Sequence, residues 1–192
     1  LISFWKSVQI RKAELCSELR KFLNVVSKSI FSTMRDTIME DTDEFIQGYK
    51  YFVINRCSFS GATLSGGFST ESSKKRFTES SIKRTEDLNL NDVEFHNLDF
   101  ETFLKGKKGL IFLDPPYYLN ENSNLYGKNG DMHENFNHEK LFQVLNKRKN
   151  WIMTYNNCDY IRDLYKNYEI REVKWSYGMN TSKDSSEIVI LG

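Results

Sequence analysis

The sequence has few prolines and cysteines, and each shortage excludes a class of structure. Only two prolines occur in 192 residues, where average usage gives about ten, and the two are adjacent at Pro115 and Pro116. The three cysteines, Cys16, Cys57 and Cys158, are far apart and form no C-x-x-C pair. We therefore expect neither a disulfide framework nor a cysteine zinc site, and a reducing, intracellular compartment fits best.

The sequence also lacks long apolar runs and an excess of one charge. No run approaches the roughly 20 residues needed to span a bilayer, so a membrane-spanning protein is not expected. The formal net charge is +1, so the chain is not a strongly basic domain, and any nucleic-acid binding must depend on locally arranged charge. At 192 residues we expect one domain, or one domain with a sizeable insertion.

The first half of the chain contains two helical patterns and one irregular segment. Apolar residues over 1–26 follow one helical face, interrupted at Arg11 and Lys12, and a second helix is predicted over 45–55. The segment 57–75 is rich in Ser, Gly and Thr and predicts a loop or an irregular hairpin. Long segments of this kind are uncommon in compact domains unless they are functional.

From about residue 93 the sequence alternates between strand and helix patterns. Strands are predicted at VEFHNLDF (93–100), GLIFL (109–113), WIMTY (151–155), EIREVKW and SEIVIL, and helices at FETFLKG, HEKLFQVLNKRK and DYIRDLYKN. The compact run GLIFL is typical of a buried parallel strand. The alternation predicts an α/β fold, an open sheet covered by helices, in which ligands bind beyond the carboxyl ends of the strands.

The motif Asp114-Pro115-Pro116-Tyr117 directly follows the predicted strand GLIFL and is the strongest functional signal in the chain. One interpretation is that the prolines simply end the strand, because proline cannot donate to a ladder. That interpretation does not explain why a carboxylate and an aromatic ring accompany the prolines at the ligand-binding edge of a sheet. This combination suits methyl transfer to the exocyclic amine of a base.

The amine of adenine is a poor nucleophile because its lone pair is delocalised into the ring. The Asp114 carboxylate and the Pro115 carbonyl can accept its two N–H groups, while the prolines restrict the backbone. Tyr117 can stack on the base, which contributes about 1–3 kcal/mol per base. A base inside a duplex must be flipped out to reach such a pocket, at a cost of a few kcal/mol.

These residues resemble the amino-methyltransferases of DNA, and Asp in the first place of the motif resembles the N6-adenine class. The segments FVINRCSFSGATLSGGFS, NLDFETFL, LYGKNGDMHENFNHEKL and WIMTYNNCDYIRDLY are similar to Dam-type adenine methyltransferases, so the resemblance spans nearly the whole chain. It implies a Rossmann-like S-adenosylmethionine-dependent methyltransferase fold with an inserted, partly helical target-recognition region over 35–90, between catalytic segments 1–34 and 91–192. The implied activity is site-specific methyl transfer from S-adenosylmethionine to N6 of a flipped-out adenine.

The resemblance also implies the roles of individual residues. Asp99 and Phe100 resemble contacts to the adenine of S-adenosylmethionine, although Asp99 could instead cap the following helix. Phe59 could fill the stack vacated by the flipped base or could be a core aromatic. The implied catalytic residues are Asp114, Pro115, Pro116 and Tyr117, with Asp114 also near the donor, and the implied DNA-binding residues are Asn55, Arg56, Phe59, Ser60, Lys74, Lys75 and Arg76. The last three could meet phosphates or form a solvated face.

The chain departs from the family pattern in one respect. No F-x-G-x-G or G-x-G occurs, although the family uses a Gly-rich turn for the donor. The first residues, LISFWKSVQ, resemble the helix after the ribose-binding acidic residue, so we expect the upstream cofactor-binding segment to be missing. A non-catalytic DNA-binding fragment and one half of a split methyltransferase are therefore alternatives. Cytosine-N4 and RNA adenine methylation are alternatives for the reaction.

The expected partners are double-stranded DNA and either a cognate restriction endonuclease or the missing N-terminal fragment, with no membrane. The expected location is the cytoplasm, as a bacterial or phage-encoded protein associated with the nucleoid. No metal is expected, because His133 and His138 lack a third well-spaced ligand. Residues 119–137 resemble a mobile loop that could close over the flipped base. Cys57 and Cys158 are expected to pack rather than to act as nucleophiles.

Overall fold

The computed structural model describes residues 1–118, 136–175 and 185–192, which divide into two compact units. Among these residues, the first unit spans Leu1–Asn97 and the second begins at Leu98 and ends at Gly192. Each unit buries a hydrophobic cluster of its own.

The first unit is helical. Its helices are α1 (Ile2–Ile10), α2 (Lys12–Lys21), α3 (Lys28–Thr37), α4 (Glu44–Cys57), α5 (Thr70–Arg76) and α6 (Glu79–Glu86). Helix α4 packs against α1, α2, α3 and α5, and α6 packs against α2. The helix predicted over 45–55 is confirmed as α4, and the break at Arg11 separates α1 from α2.

Polar side chains determine where several of these helices begin. Ser27 accepts from the backbone N–H of Ile30 at 3.3 Å and caps α3, and Asp43 accepts from that of Phe45 at 2.8 Å and caps α4. Such caps satisfy amide donors that have no partner within the helix. The apolar face of α4 then lies in the core, where Val53 is fully buried.

A compact turn over residues 58–69 joins α4 to α5, and we call it the 58–69 turn. Its two short 3-10 helices span Phe59–Gly61 and Thr63–Ser65, and Ser58 forms an isolated antiparallel bridge with Phe68. The irregular hairpin predicted over 57–75 is therefore confirmed only as far as Ser69. Beyond that residue the prediction is wrong, because Ser69 accepts from the Ser72 amide at 3.1 Å and starts α5.

The second unit is a mixed α/β structure. Its elements are α7 (Phe100–Leu104), β1 (Ile111–Leu113), α8 (His138–Leu145), β2 (Trp151–Asn156), α9 (Asp159–Leu164), β3 (Glu169–Trp175) and β4 (Ser185–Leu191). The strands form one sheet in the order β1-β2-β4-β3. Strand β1 is parallel to β2, whereas β4 is antiparallel to both of its neighbours. The α/β class and the predicted helices at α7, α8 and α9 are confirmed.

Two strand predictions need correction. Residues 93–99 form no strand, because their side chains are mostly exposed and no described segment pairs with them. GLIFL forms only the short strand β1, which is parallel as predicted but lies at one edge of the sheet that the described strands form. Phe112 is 66% exposed and Leu110 is 68% exposed, so this strand is not buried on both faces. A short apolar run does not by itself reveal which of its faces is covered.

Strand β2 lies between β1 and β4 and has two different faces. Trp151, Met153 and Tyr155 are buried, while the residues that alternate with them are half-buried. This alternation follows from the period of two along a strand.

Among the described residues, no helix is both long enough and apolar enough to cross a membrane.

Candidate active site and DNA-binding surface

The segment 114–118 leaves the carboxyl end of β1 and contains the predicted catalytic motif. Asp114 is exposed, and Pro115, Pro116 and Tyr117 are half-buried. Because β1 and β2 are parallel, with Leu113 opposite Met153, the motif lies beside the last residues of β2. Neither proline has an amide hydrogen, so this backbone can accept hydrogen bonds there but can donate few.

Two polar side chains of β2 hold this segment. The Thr154 hydroxyl donates to Asp114 Oδ1 at 2.7 Å, and its contact with the Leu113 carbonyl is longer, at 3.4 Å. Two residues further along, Asn156 Nδ2 donates to the Tyr118 carbonyl at 2.7 Å. Asn156 Oδ1 is buried and has no hydrogen-bond partner among the described residues. Both ends of the segment 114–118 are therefore hydrogen-bonded to side chains of β2.

Aromatic rings surround the motif on the side of the core. The ring centroids of Tyr117 and Tyr155 are 6.1 Å apart, and Tyr118 stacks on Tyr160 at 4.2 Å. The Tyr155 hydroxyl is hydrogen-bonded to Nδ1 of the buried His138. Burial raises the pKa of Tyr155, and nearby tyrosines raise it further, so this phenol stays neutral.

Asp99 and Phe100 lie at the start of α7 in the same unit. Asp99 Oδ1 accepts from the Glu101 amide at 2.9 Å, so the helix-cap interpretation of Asp99 is confirmed. The cap uses one carboxylate oxygen, and the side chain is exposed. The Phe100 ring is half-buried and lies 5.5 Å from the ring of Phe136. A second carboxylate oxygen and an adjacent ring therefore remain for a ligand.

The predicted DNA-binding residues of the first unit have different surroundings. Phe59 is 71% exposed on the 58–69 turn, so the core-aromatic alternative is wrong. Asn55 instead faces the turn, where its Nδ2 donates to Thr63 Oγ1 at 3.2 Å. Ser60 has a φ of 52°, an unusual value for a residue with a side chain. Asn55 therefore shapes the turn that presents Phe59.

Arg56, Arg76 and Arg84 form a group of cations in the first unit, which we call the arginine cluster. Burial lowers the pKa of Arg56, and the charges of Arg76 and Arg84 lower it further. Arg56 Nε is buried and has no hydrogen-bond partner in the described part of the chain, and the guanidinium lies 5.3 Å from the centroid of the Phe52 ring. Within residues 1–118, 136–175 and 185–192, no ion pair involves any of the three arginines. Cations without carboxylate partners are suited to binding an anion.

A cavity in the first unit opens beside this cluster. Its volume is about 300 Å³, and Arg56 and Arg84 line it together with Trp5, Tyr51 and Ser81. By contrast, Lys75 pairs with Glu71 at 2.7 Å across one turn of α5, and Lys74 is exposed on the same helix. The solvated-face interpretation therefore fits Lys75 better than it fits Arg76.

Comparison with known protein families decides between the interpretations of the motif. A family model described as D12 class N6 adenine-specific DNA methyltransferase matches residues 1–179. The chain belongs to this family. A search among curated proteins found no match. The methyltransferase acts on adenine in DNA, and the resemblance that its motifs predicted is confirmed. The family does not support the cytosine-N4 and RNA alternatives.

Sequence inspection did not identify every residue of these sites. Thr154 and Asn156 alternate with buried residues in WIMTYN, so a polar face on the strand beside the motif was a usable signal. Arg84 gave no such signal, because its proximity to Arg56 depends on how α6 packs. His133 and most of the loop predicted over 119–137 lie outside the described residues.

Proposed function

We propose that the methyltransferase takes an adenine out of double-stranded DNA and methylates N6 of that base with S-adenosylmethionine. The mixed sheet would then belong to a Rossmann-like methyltransferase fold, and residues 35–90 would recognise the target. The observation that carries the proposal is the exposed Asp114 carboxylate, held by Thr154 at the carboxyl end of a parallel strand pair. Such strand ends are the ligand-binding edge of α/β sheets.

In this proposal the adenine amine donates one N–H to Asp114 and the other to the Pro115 carbonyl. The two acceptors favour a pyramidal nitrogen whose lone pair faces the methyl donor. Both acceptors are fixed before the base arrives, because the prolines restrict the backbone and Thr154 holds the carboxylate. The methylated nitrogen is cationic and then releases a proton, so no base is needed before attack. Tyr117 stacks on the ring of the adenine.

The residues at the start of α7 fit S-adenosylmethionine. Asp99 has an exposed carboxylate with one oxygen left over from the helix cap, and Phe100 offers a half-buried ring beside it. A carboxylate can accept from an exocyclic amine while a ring packs on the adenine face. When bound, S-adenosylmethionine supplies an electrophilic methyl group. Asp99 and Phe100 would hold its adenine, and Asp114 would lie near the donor.

The first unit supplies the proposed DNA contacts. Phe59 is exposed on a hydrogen-bonded turn and can enter the space left by the flipped base, with Ser60 beside it. The arginine cluster carries charge that no described carboxylate neutralises, and guanidinium groups bind phosphates through several N–H donors. Lys74 adds an exposed cation on α5. These features support local charge as the basis of DNA binding by a chain whose net charge is +1.

The test uses the purified chain, S-adenosylmethionine labelled in its methyl group, and unmethylated DNA of mixed sequence. The DNA is digested to nucleosides after the reaction, and Asp114→Ala is run in parallel. We expect labelled N6-methyladenine from the wild type and a loss of at least about 100-fold in the variant, comparable to removing an oriented donor or acceptor in other enzymes. Label on cytosine, or equal label from Asp114→Ala, would contradict the proposal.

A further inference from the structure

The carboxylate of Asp114 has two oxygens, and the described residues occupy only one of them. Thr154 donates to Oδ1 at 2.7 Å, and no other described group donates to this side chain. An ionised carboxylate has about four acceptor positions on its two oxygens. The Thr154 hydroxyl therefore fixes the rotation of the carboxylate while Oδ2 stays available.

Strand β2 repeats this arrangement two residues later. Thr154 and Asn156 lie on the same face of the strand, because side chains alternate with a period of two. Asn156 Nδ2 donates to the Tyr118 carbonyl at 2.7 Å. The side chains of Thr154 and Asn156 therefore hold the first and last residues of the segment 114–118. Between these attachments lies the Pro115 carbonyl, whose position depends on both ends.

We infer that Thr154 and Asn156 are positioning residues for methyl transfer, Thr154 by orienting Asp114 and Asn156 by fixing the Tyr118 end of the segment. The inference rests on the proposed function, in which Asp114 and the Pro115 carbonyl accept the amine of adenine. Neither residue needs to touch the substrate. Their contribution is geometric: the acceptor oxygen and the carbonyl are aligned before the base enters, which avoids reorganisation during reaction.

The shape of Thr154 allows a matched test. Thr154→Val keeps the branched shape and removes the hydroxyl, whereas Thr154→Ser keeps the hydroxyl. We expect Thr154→Val to lower kcat about tenfold, as for loss of a hydrogen bond to a charged group, with KM for DNA changed by less than about twofold. Thr154→Ser should recover most of this loss. Thr102→Val, on the exposed face of α7, is the control and should match the wild type.

A purely structural role would lower the melting temperature without this kinetic pattern. The midpoint of thermal unfolding is therefore measured for every variant, and Asn156→Leu tests the second attachment, with a fall in kcat of about threefold to tenfold expected from the lost donor. The inference is overturned if Thr154→Val retains the wild-type kcat, or if only KM changes. It is also overturned if Thr154→Ser behaves like Thr154→Val.

The inference can fail separately from the proposed function. If the wild type methylates adenine and Asp114→Ala does not, the function stands whatever the Thr154 variants do. If the wild type transfers no label, the proposed function fails, and crystal structures of the wild type and Thr154→Val still decide the positioning role. We expect the Asp114 carboxylate to rotate away from its wild-type orientation in Thr154→Val. An unchanged orientation would overturn the inference without any measurement of turnover.

Discussion

The backbone N–H of Phe59 donates to the carbonyl of Gly67 across 2.9 Å, and this bond closes the 58–69 turn while the Phe59 ring stays 71% exposed. A second backbone bond, from Ser69 to the Cys57 carbonyl at 2.9 Å, secures the base of the turn. The Phe59 ring is thus carried by a backbone that two hydrogen bonds hold in place, and it does not pack in the core. An aromatic side chain has few rotatable bonds, so it can stack at low cost in conformational entropy.

We expect Phe59→Ala to weaken methylation much more than it weakens the fold. Its ring is exposed, so the free energy of unfolding should change by less than about 0.5 kcal/mol. Loss of a base-stacking ring should lower kcat/KM on DNA by about tenfold or more. Thermal unfolding and steady-state methylation assays measure the two effects.

Met39→Ala is the matched control for Phe59→Ala. Met39 is also 71% exposed in the first unit but lies outside the 58–69 turn. It should change neither stability nor methylation by a measurable amount. Equal activity of Phe59→Ala and Met39→Ala would show that the exposed ring has no part in binding DNA.

The arginine cluster predicts a change in the salt dependence of DNA binding. Each phosphate contact contributes about 0.9 to the slope of log K against log salt concentration. We therefore expect Arg84→Gln to reduce that slope by about one and to weaken binding similarly on all sequences. Fluorescence anisotropy with labelled duplex DNA at several salt concentrations measures the slope.

Lys21→Gln serves as the control for the loss of one positive charge. Lys21 is 67% exposed and already pairs with Glu18 at 2.5 Å. Lys21→Gln should therefore leave the salt dependence of DNA binding nearly unchanged. A slope that falls equally in both variants would indicate a general effect of net charge. It would rule out a specific phosphate contact at Arg84.

Local patterns in the sequence predicted elements well but predicted neighbours poorly. The period of α4 and the strand WIMTYN were visible because each depends on residues close in the chain. The strand expected over 93–99 failed because a strand requires a partner, and pairing is not a local property. For the same reason the run GLIFL predicted a buried strand, although Phe112 is exposed on a strand at the edge of the described sheet.

In the candidate site, too, the sequence predicted the contiguous motif but not the residues that become its neighbours. Asp114 was identifiable because four chemically suited residues are contiguous in the chain. Its hydrogen-bond partner Thr154 lies 40 residues away and becomes its neighbour only through the parallel pairing of β1 and β2. Arg56 and Arg84 likewise become neighbours only through helix packing. Residues that bind a substrate can thus be found from a motif, whereas the residues that position them can be found only from the fold.

Gly61 and Gly67 offer a test of how the turn supports Arg76. Gly61 has a φ of +76°, and an added Cβ would lie 2.8 Å from Arg76 Nη2. We expect Gly61→Ala to destabilise the protein by about 1–3 kcal/mol, because other residues are strained at this φ. It should also displace the Arg76 side chain and weaken DNA binding.

Gly67→Ala is the control for Gly61→Ala, since no described atom beyond the two neighbouring residues lies within 4 Å of the position its Cβ would take. It should change the free energy of unfolding by less than about 1 kcal/mol. Urea denaturation and DNA binding are measured for both variants. If both variants lose stability equally, the positive φ at Gly61 is not the source of the effect.

The thiol of Cys57 provides a prediction that depends on pH. Burial raises the pKa of Cys57 to about 12, from an ordinary value of 9.0. The neutral thiol thus favours the folded state, and this contribution is fully present below about pH 9. It is lost as the pH rises towards the folded pKa of about 12, because only the unfolded chain then ionises readily. Stability measured in urea should therefore decline above pH 9 in the wild type and less in Cys57→Ala, relative to each protein's own value at pH 8.

Alkylation with iodoacetamide tests the burial of the Cys57 thiol directly. Cys16 and Cys57 are buried in the native protein, whereas Cys158 is only partly buried. The thiolate is the reactive species, so at pH 8 we expect native protein to be labelled at Cys158 and not at Cys57. After denaturation all three cysteines should be labelled, as mass spectrometry would detect. Rapid labelling of native Cys57 would mean that the end of α4 opens in solution, and the 58–69 turn would then not be a rigid platform for Phe59.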